Sequence, residues 1–227
     1  ERRRCKLADF EDRDGKIREL ESALGSALES VRRAGAKLTQ ARRKAGAFLA
    51  AAVTKELHGL GFLQAGFSVA ISAREPDASG CDSVSFHFEP NPGESARELA
   101  NIASSGEIAR VMLAIKGILS AHDPVAVIVF DEIDANIGGD VGRMVGEKMR
   151  SLSAQRQVIA ITHLSQSAVY GRRHLVVSKS VAGGRTRTGI SVADGEGRVS
   201  EIARMLGGET LTSVVKRHAK ELLNLSC

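Results

Sequence analysis

An apolar residue stands at every seventh position from Phe10 to Ala52, and a second series follows three residues after the first. This a/d pattern predicts one helix of about six heptads whose apolar seam needs a partner helix, as in a coiled coil. The alternative is a single helix lying on the globular body. Gly59-Leu60-Gly61 is predicted to end the helix. The first series is Phe10, Ile17, Leu24, Val31, Leu38, Ala45 and Ala52; the second is Arg13, Leu20, Ala27, Ala34, Ala41 and Phe48, with Arg13 as its charged exception.

The excess positive charge lies entirely in this arm. Residues 1–45 hold 13 Lys/Arg and 8 Asp/Glu, whereas the remainder holds 19 of each. Such asymmetry indicates an arm appended to a neutral body, and we expect a coiled-coil arm at 1–58 and a head at 59–227. The chain starts at Glu1 inside a charged helical pattern, so we expect a fragment cut within the coil.

Composition narrows the class of protein. Hydrophobic residues make up 43% and charged residues 26%, which predicts a folded chain rather than a disordered or membrane-embedded one. Aromatic residues are only 4%, so stacking on exposed bases is not expected to be the main activity. Three cysteines without a CxxC pair favour a reducing cytoplasm.

The head is predicted to be α/β, with a mainly parallel sheet, because apolar strands alternate with helical patterns. Val125–Phe130 is a continuous apolar run, which predicts a strand buried on both faces. The other predicted elements are strands at 67–71, 84–88, 158–162, 175–178 and 188–192, a turn at 75–82, and helices at 105–121, 141–152, 200–206 and 210–225.

Two of these strands end in polar residues that suit phosphate chemistry. Asp131-Glu132 follows one strand and Thr162-His163 follows the next. Open α/β sheets bind ligands at the carboxyl ends of their strands, where one carboxylate can hold Mg²⁺ and a second can orient water. A neutral His163 could donate to a phosphate oxygen. The alternative for the acidic pair is an ordinary acidic turn.

Small residues precede the helix predicted at 105–121. Ser104, Ser105 and Gly106 would expose backbone N–H groups and the positive end of the helix dipole to an anion. Ser104 and Glu107 also have the spacing of a capping box, and both interpretations can hold together.

These segments resemble, in family order, the motifs of ABC-type ATPases, and with the coil they resemble the SMC-like branch that acts in DNA double-strand-break repair. Residues 102–110 (IASSGEIAR) are similar to the signature motif, 125–132 to the Walker B strand, 134–139 (DANIGG) to the D-loop, and Thr162-His163 to the switch histidine. The resemblance covers residues 46–224 and includes THLSQSA, HLVVSK, EIARMLGG and HAKELL.

The resemblance implies that two heads sandwich ATP in a homodimer that grips DNA. Asp131 would hold Mg²⁺, Glu132 would polarise water and His163 would touch the γ-phosphate. Asp134 would couple the two sites. The residues expected to contact the nucleotide on the opposite head are Ser104, Ser105, Gly106 and Glu107.

Two departures from the family pattern matter. Ser105 stands where the family has glycine, which would cost roughly 1 kcal/mol if the position is left-handed and would weaken phosphate sensing. No GxxxxGK[ST] loop is present, so the resemblance assigns the phosphate grip to an N-terminal lobe, and we expect no ATPase activity from this chain alone. The alternative function is a non-catalytic coiled-coil module that binds DNA or serves as a scaffold.

Overall fold

The computed structural model describes residues 2–102, 104–182, 185–208 and 211–225, with side chains from Arg13 onward except Ala182. No described helix combines the length and the hydropathy that crossing a membrane requires. The helices are α1 (Arg2–His58), α2 (Ser105–Ile118), α3 (Gly139–Ser153), α4 (Ser165–Ala168), α5 (Gly195–Gly207) and α6 (Ser213–Leu225), with a 3₁₀ turn at Leu99–Asn101. The strands are β1 (Gly66–Asp77), β2 (Gly80–Glu89), β3 (Arg97–Glu98), β4 (Val127–Asp131), β5 (Gln157–Ile161), β6 (His174–Ala182) and β7 (Arg185–Ala193).

Helix α1 confirms the helix predicted from the heptad repeat and ends at His58, directly before the predicted stop. Its 57 residues span roughly 85 Å at 1.5 Å per residue. The apolar seam is largely exposed, with Leu20 at 63% and Leu24 at 60%. No described residue covers that stretch of seam, so the helix keeps an unpartnered apolar face. The side chain of Phe10 lies outside the described residues.

The chain divides into two compact units, and the first consists of residues 1–50 together with Ser68–His87. In this unit β1 and β2 are neighbouring strands that extend the two predicted ones. The turn between them is shorter than predicted, because only Ala78 and Ser79 separate the strands. Asp77 Oδ1 accepts the Ser79 backbone N–H at 2.7 Å, which tightens the turn. The predicted division at residue 58 remains a prediction.

The buried carboxylate of Asp82, on β2, connects this strand to helix α1. Asp82 is 6% exposed, and the Thr39 hydroxyl lies 2.8 and 2.9 Å from its two oxygens. Arg42 Nη1 donates to the same carboxylate at 3.1 Å, and Arg42 Nη2 donates to the Ser79 carbonyl at 2.7 Å. The Thr39 hydrogen bond, followed by the Arg42 contacts, outweighs desolvation and lowers the pKa of Asp82 below its usual 3.8.

The second unit consists of Ala51–Phe67 and residues 88–227. The Phe62 and Phe88 rings pack edge to face, with centroids 5.1 Å apart and an interplanar angle of 79°. The Arg110 guanidinium lies 4.7 Å from the centre of the Phe62 ring. Further core residues are Leu57, Leu60, Val111, Leu113, Ile133 and Val145, each no more than 2% exposed.

Strands β4 and β5 confirm the predicted parallel pairing, in register from Val127 opposite Gln157 to Asp131 opposite Ile161. Strands β6 and β7, in contrast, pair antiparallel. The α/β class is therefore confirmed.

The prediction that Val125–Phe130 is buried on both faces is wrong. Val127 and Val129 are 45% and 58% exposed, while Phe130 on the opposite face is 4% exposed. The reason is that α2 and α3 pack on one face of the β4–β5 pair and no described element packs on the other.

Helix α3 approaches α4 closely at two glycines. A Cβ on Gly142 would collide with the Leu164 side chain, and one on Gly146 would lie 3.1 Å from the backbone Cα and carbonyl oxygen of Ser167. The Ser167 hydroxyl donates to the Gly142 carbonyl at 2.9 Å. The segment that follows β5 is thereby held against α3.

We predict that Asp82→Asn speeds amide hydrogen exchange in β1 and β2 at pH 7, because the amide keeps the shape of the carboxylate but loses its charge. A lowered folded-state pKa contributes stability that is present above the unfolded pKa and is lost as the pH falls through the folded one. The difference from wild type should therefore shrink as the pH falls below 3.8 and vanish only below the lowered pKa of Asp82 in the folded state. Glu29→Gln is the control, because its ion pair with Arg33 is 69–72% exposed and contributes little.

We predict that Gly146→Ala destabilises the second unit by about 1–3 kcal/mol, because the added methyl group would collide with the Tyr170 ring and press against the Ser167 backbone. Chemical denaturation monitored by circular dichroism measures the change. Gly197→Ala on α5 is the matched control: its Cβ would meet nothing within 4 Å, and it should stabilise slightly. Equal effects of the two substitutions would contradict the close approach of α3 and α4.

Candidate functional site

The polar residues that follow β4 and β5 meet at one edge of the parallel pair. Asp131 is the last residue of β4 and lies opposite Ile161, the last residue of β5. Thr162 Oγ1 donates a hydrogen bond to Asp134 Oδ2, and His163 Nδ1 lies 3.7 Å from Asp134 Oδ1. The acidic turn after β4, residues 132–135, and the imidazole after β5 are therefore neighbours, and they meet through Asp134 rather than through the predicted pair Asp131-Glu132.

Asp134 is a buried carboxylate beside an exposed imidazole. It is 1% exposed, whereas the His163 side chain is 75% exposed. Its Oδ1 atom has no hydrogen-bond partner within the described part of the chain. A buried carboxylate oxygen without a donor is costly, so the contact with His163 is the interaction available to offset that cost and to orient the ring.

Glu132 has a left-handed backbone, with φ of +54°. A non-glycine residue in this region costs about 1–3 kcal/mol and persists only where the surroundings hold it. Its carbonyl oxygen accepts the Ala135 N–H at 3.0 Å, which closes the turn. Strain at a residue predicted to orient water is consistent with a functional position.

Ser105 makes an unpredicted contact with this glutamate. The Ser105 hydroxyl donates to Glu132 Oε2 at 2.6 Å, and so links the first turn of α2 to the acidic turn. Among the described non-glycine residues, only Glu132 and Asn136 have positive φ. The free-energy cost of a left-handed backbone, which we expected at Ser105, is therefore absent there. It occurs instead at Glu132, the residue that Ser105 contacts.

The start of α2 confirms the predicted cap. Ser104 is the N-cap residue, and its hydroxyl accepts the Glu107 N–H at 3.4 Å. Gly106 is buried, and a Cβ there would lie 3.2 Å from both the Ala135 and the Glu132 carbonyl oxygens. The lack of a side chain at Gly106 thus favours the close packing of α2 on the acidic turn, a reason other than the predicted approach of a phosphate.

Two arginines near this cap have positions that the sequence did not indicate. Arg110 is 7% exposed and donates to the Ala135 carbonyl at 3.3 Å, so it joins α2 to the acidic turn. Burial lowers the pKa of Arg110. Arg97 lies on β3 and, with Ser104 and Glu107, lines a cavity of about 140 Å³. The sequence places Arg110 within the segment that resembles the signature motif. Its burial could not be predicted, because it packs against Phe62, which lies far away in sequence.

These residues fit a nucleotide-held magnesium ion better than a metal caged by protein. The described residues contain no cluster of three or more His, Cys, Asp or Glu that could hold a metal. Mg²⁺ usually takes one or two carboxylates and completes its shell with phosphate and water oxygens. Asp131, whose side chain is exposed at the end of β4, fits that role.

We predict a favourable coupling of about 0.5–1.5 kcal/mol between Ser105 and Glu132, the size typical of a single hydrogen bond. The measurement is a double-mutant cycle on the free energy of unfolding with Ser105→Ala and Glu132→Ala. The control cycle pairs Ser104→Ala with Glu132→Ala, because Ser104 bonds Glu107 instead. Additive effects in the Ser105 cycle would contradict the contact.

The chain matches no family model. It is similar to several curated proteins, each described as DNA repair protein RecN. That of Halalkalibacterium halodurans is 37% identical over 219 residues, which are 94% of this chain and 39% of that protein. That of Treponema pallidum is 38% identical over 96% of this chain, and that of Bacillus subtilis is 35% identical over 96%. The chain spans about two fifths of the length of these relatives, 39–40%.

Solved structures support the fold. The Smc head domain with a coiled coil and joint from Pyrococcus yayanosii matches with a TM-score of 0.57 at 18% identity, covering 83% of this chain and 35% of that one. The Smc head domain with an extended coiled coil, bound to the C-terminal domain of ScpA, from Pyrococcus furiosus matches with a TM-score of 0.52 at 18% identity. That match covers 79% of this chain and 43% of the other. At this identity the likeness concerns the fold alone.

Proposed function

This chain is related along nearly its whole length to the DNA repair protein RecN, and we propose that it supplies the C-terminal lobe and one coil arm of a RecN-like, SMC-type ATPase in double-strand-break repair. The observation that carries this proposal is the meeting of the acidic turn and His163 at the carboxyl edge of β4 and β5, with the first turn of α2 bonded to Glu132. Open α/β sheets bind their ligands at this edge.

Each residue of the site has a distinct task in ATP hydrolysis. Asp131 holds Mg²⁺, Glu132 orients the attacking water and accepts its proton, and His163 donates to the γ-phosphate. Asp134 orients His163 through the 3.7 Å contact and couples the two sites of a head dimer. When bound, Mg²⁺ neutralises phosphate charge. On the opposite head's nucleotide, the contacts are made by Ser104, Ser105, Gly106 and Glu107.

The site is shared with a second lobe that carries the phosphate-binding loop. The exposed face of the β4–β5 pair supports this proposal, because it is apolar: Val129 and Ile161 are 58% and 57% exposed, and Val127 and Ile159 are 45% and 42% exposed. Burying such a face gains about 25 cal/mol per Å². We assign this face to the N-terminal lobe. The assembled protein would be a homodimer of heads that acts on DNA in the cytoplasm, at the nucleoid.

The alternative, a non-catalytic coil that binds DNA or serves as a scaffold, is less well supported. Part of the positive charge of the arm is neutralised within the arm, since Arg33 pairs with Glu29 at 2.7 Å. Arg42 likewise pairs with Asp82. A purely structural coil would also leave the strained, hydrogen-bonded Glu132 without a role.

We predict negligible ATP hydrolysis by the 227-residue chain and its appearance when a matching N-terminal lobe is added. Glu132→Gln should then lower turnover by about 10²–10⁴-fold, because the amide cannot accept the proton of water. Steady-state phosphate release is the measurement. Glu221→Gln on α6 is the control and should leave turnover unchanged. Hydrolysis by the chain alone would contradict the shared site.

A further inference from the structure

Strands β6 and β7 form a two-stranded ribbon, and all the charged residues in this segment of the chain are basic. Residues 171–193 contain five Lys/Arg and no Asp or Glu. The five are Arg172, Arg173, Lys179, Arg185 and Arg187. Elsewhere the chain mixes charges: residues 1–45 contain both signs, with 13 basic and 8 acidic residues. The ribbon is thus a local source of positive potential that nothing in its own sequence offsets.

The antiparallel register gives the ribbon two chemically different faces. Leu175 pairs with Val192 and Val177 with Ile190, so these residues share one mostly apolar face, where they are 45–69% exposed and where Lys179 and Thr188 also lie. The alternate positions form the opposite face, because successive side chains of a strand point to opposite sides. There Val176 pairs with Ser191, Ser178 with Gly189, Ser180 with Arg187, and Ala182 with Arg185. We call the part of this second face that is formed by Ser178, Ser180, Arg185, Arg187 and Gly189 the basic face.

The arginines of the basic face are available to a partner. Arg185 and Arg187 are exposed, and neither side chain forms a hydrogen bond or ion pair with any residue that the structure describes, although their backbones belong to the β6–β7 ladder. Being two residues apart on one strand, they lie about 7 Å from each other along it. Their neighbours on this face are serines and a glycine, which are small enough to let a flat or grooved ligand approach the backbone.

We propose that the basic face of the β6–β7 ribbon binds the sugar–phosphate backbone of duplex DNA. Arginine pairs with phosphate in a bidentate geometry, serine hydroxyls donate to phosphate oxygens, and a two-stranded ribbon fits the major groove. The apolar face points away from this contact and stays free for protein. This inference deepens the proposed function, since it gives the DNA partner a place on the head outside the basic arm.

The test measures binding of a fluorescent DNA duplex to the 227-residue chain by anisotropy over a range of salt concentrations. Arg185→Ala with Arg187→Ala should weaken binding about tenfold at low salt and reduce the slope of log K against log salt by about two, one for each lost phosphate contact. Because both side chains are exposed, thermal unfolding should not change. Lys216→Ala with Arg217→Ala on α6 removes the same charge from another exposed surface and should leave the salt slope unchanged.

Three results would overturn the proposal. One is absence of duplex binding by the wild-type chain at low salt. Another is an equal loss in the ribbon and α6 variants, which would mean that only net charge matters. The third is unchanged DNA binding by the ribbon variant together with lost affinity for the N-terminal lobe, which would make this face a protein interface. Failure of the proposed ATPase is separate, because it is measured by phosphate release from the two lobes together.

Discussion

The parallel register of β4 and β5 is the constraint on which the candidate site depends. With Asp131 opposite Ile161, the residues after both strands emerge side by side, and Asp134 reaches Thr162 and His163. A shift of one residue would send alternate side chains to the other face and separate these groups. The buried Asp134 carboxylate then reinforces the register, because displacement from Thr162 and His163 would leave it without partners.

Helix α2 stabilises the same arrangement from a second direction. Gly106 lets the helix contact the carbonyl oxygens of the acidic turn, and Arg110 bonds the Ala135 carbonyl from the following helical turn. The Phe62 ring lies against the Arg110 guanidinium, and the Phe88 ring packs against Phe62. The acidic turn therefore rests on a layer of buried groups that lie far apart in sequence. That layer allows Glu132 to keep a left-handed backbone.

Periodicity and strand-end positions predicted the elements well, because they report on each segment's own chemistry. The heptad repeat predicted α1 with its correct end, and the ends of the two apolar strands lie side by side as expected, although Asp134 rather than the pair Asp131-Glu132 contacts His163. The burial of each strand was harder to predict. An apolar segment such as Val125–Phe130 indicates that both faces of the strand can be covered, but it does not indicate which element covers each face. The Ser105–Glu132 bond and the burial of Arg110 were also missed, since both join residues that only the tertiary fold brings together.

At Glu132 the left-handed backbone lowers the stability of the fold, whereas the proposed chemistry needs the side chain that makes this backbone costly. Glycine would adopt the same conformation without steric cost, yet it would remove the carboxylate that receives the Ser105 hydroxyl. Selection for heat resistance alone would therefore favour losing this side chain, and a screen that scores only folding would enrich heads that lack the carboxylate we propose for orienting water.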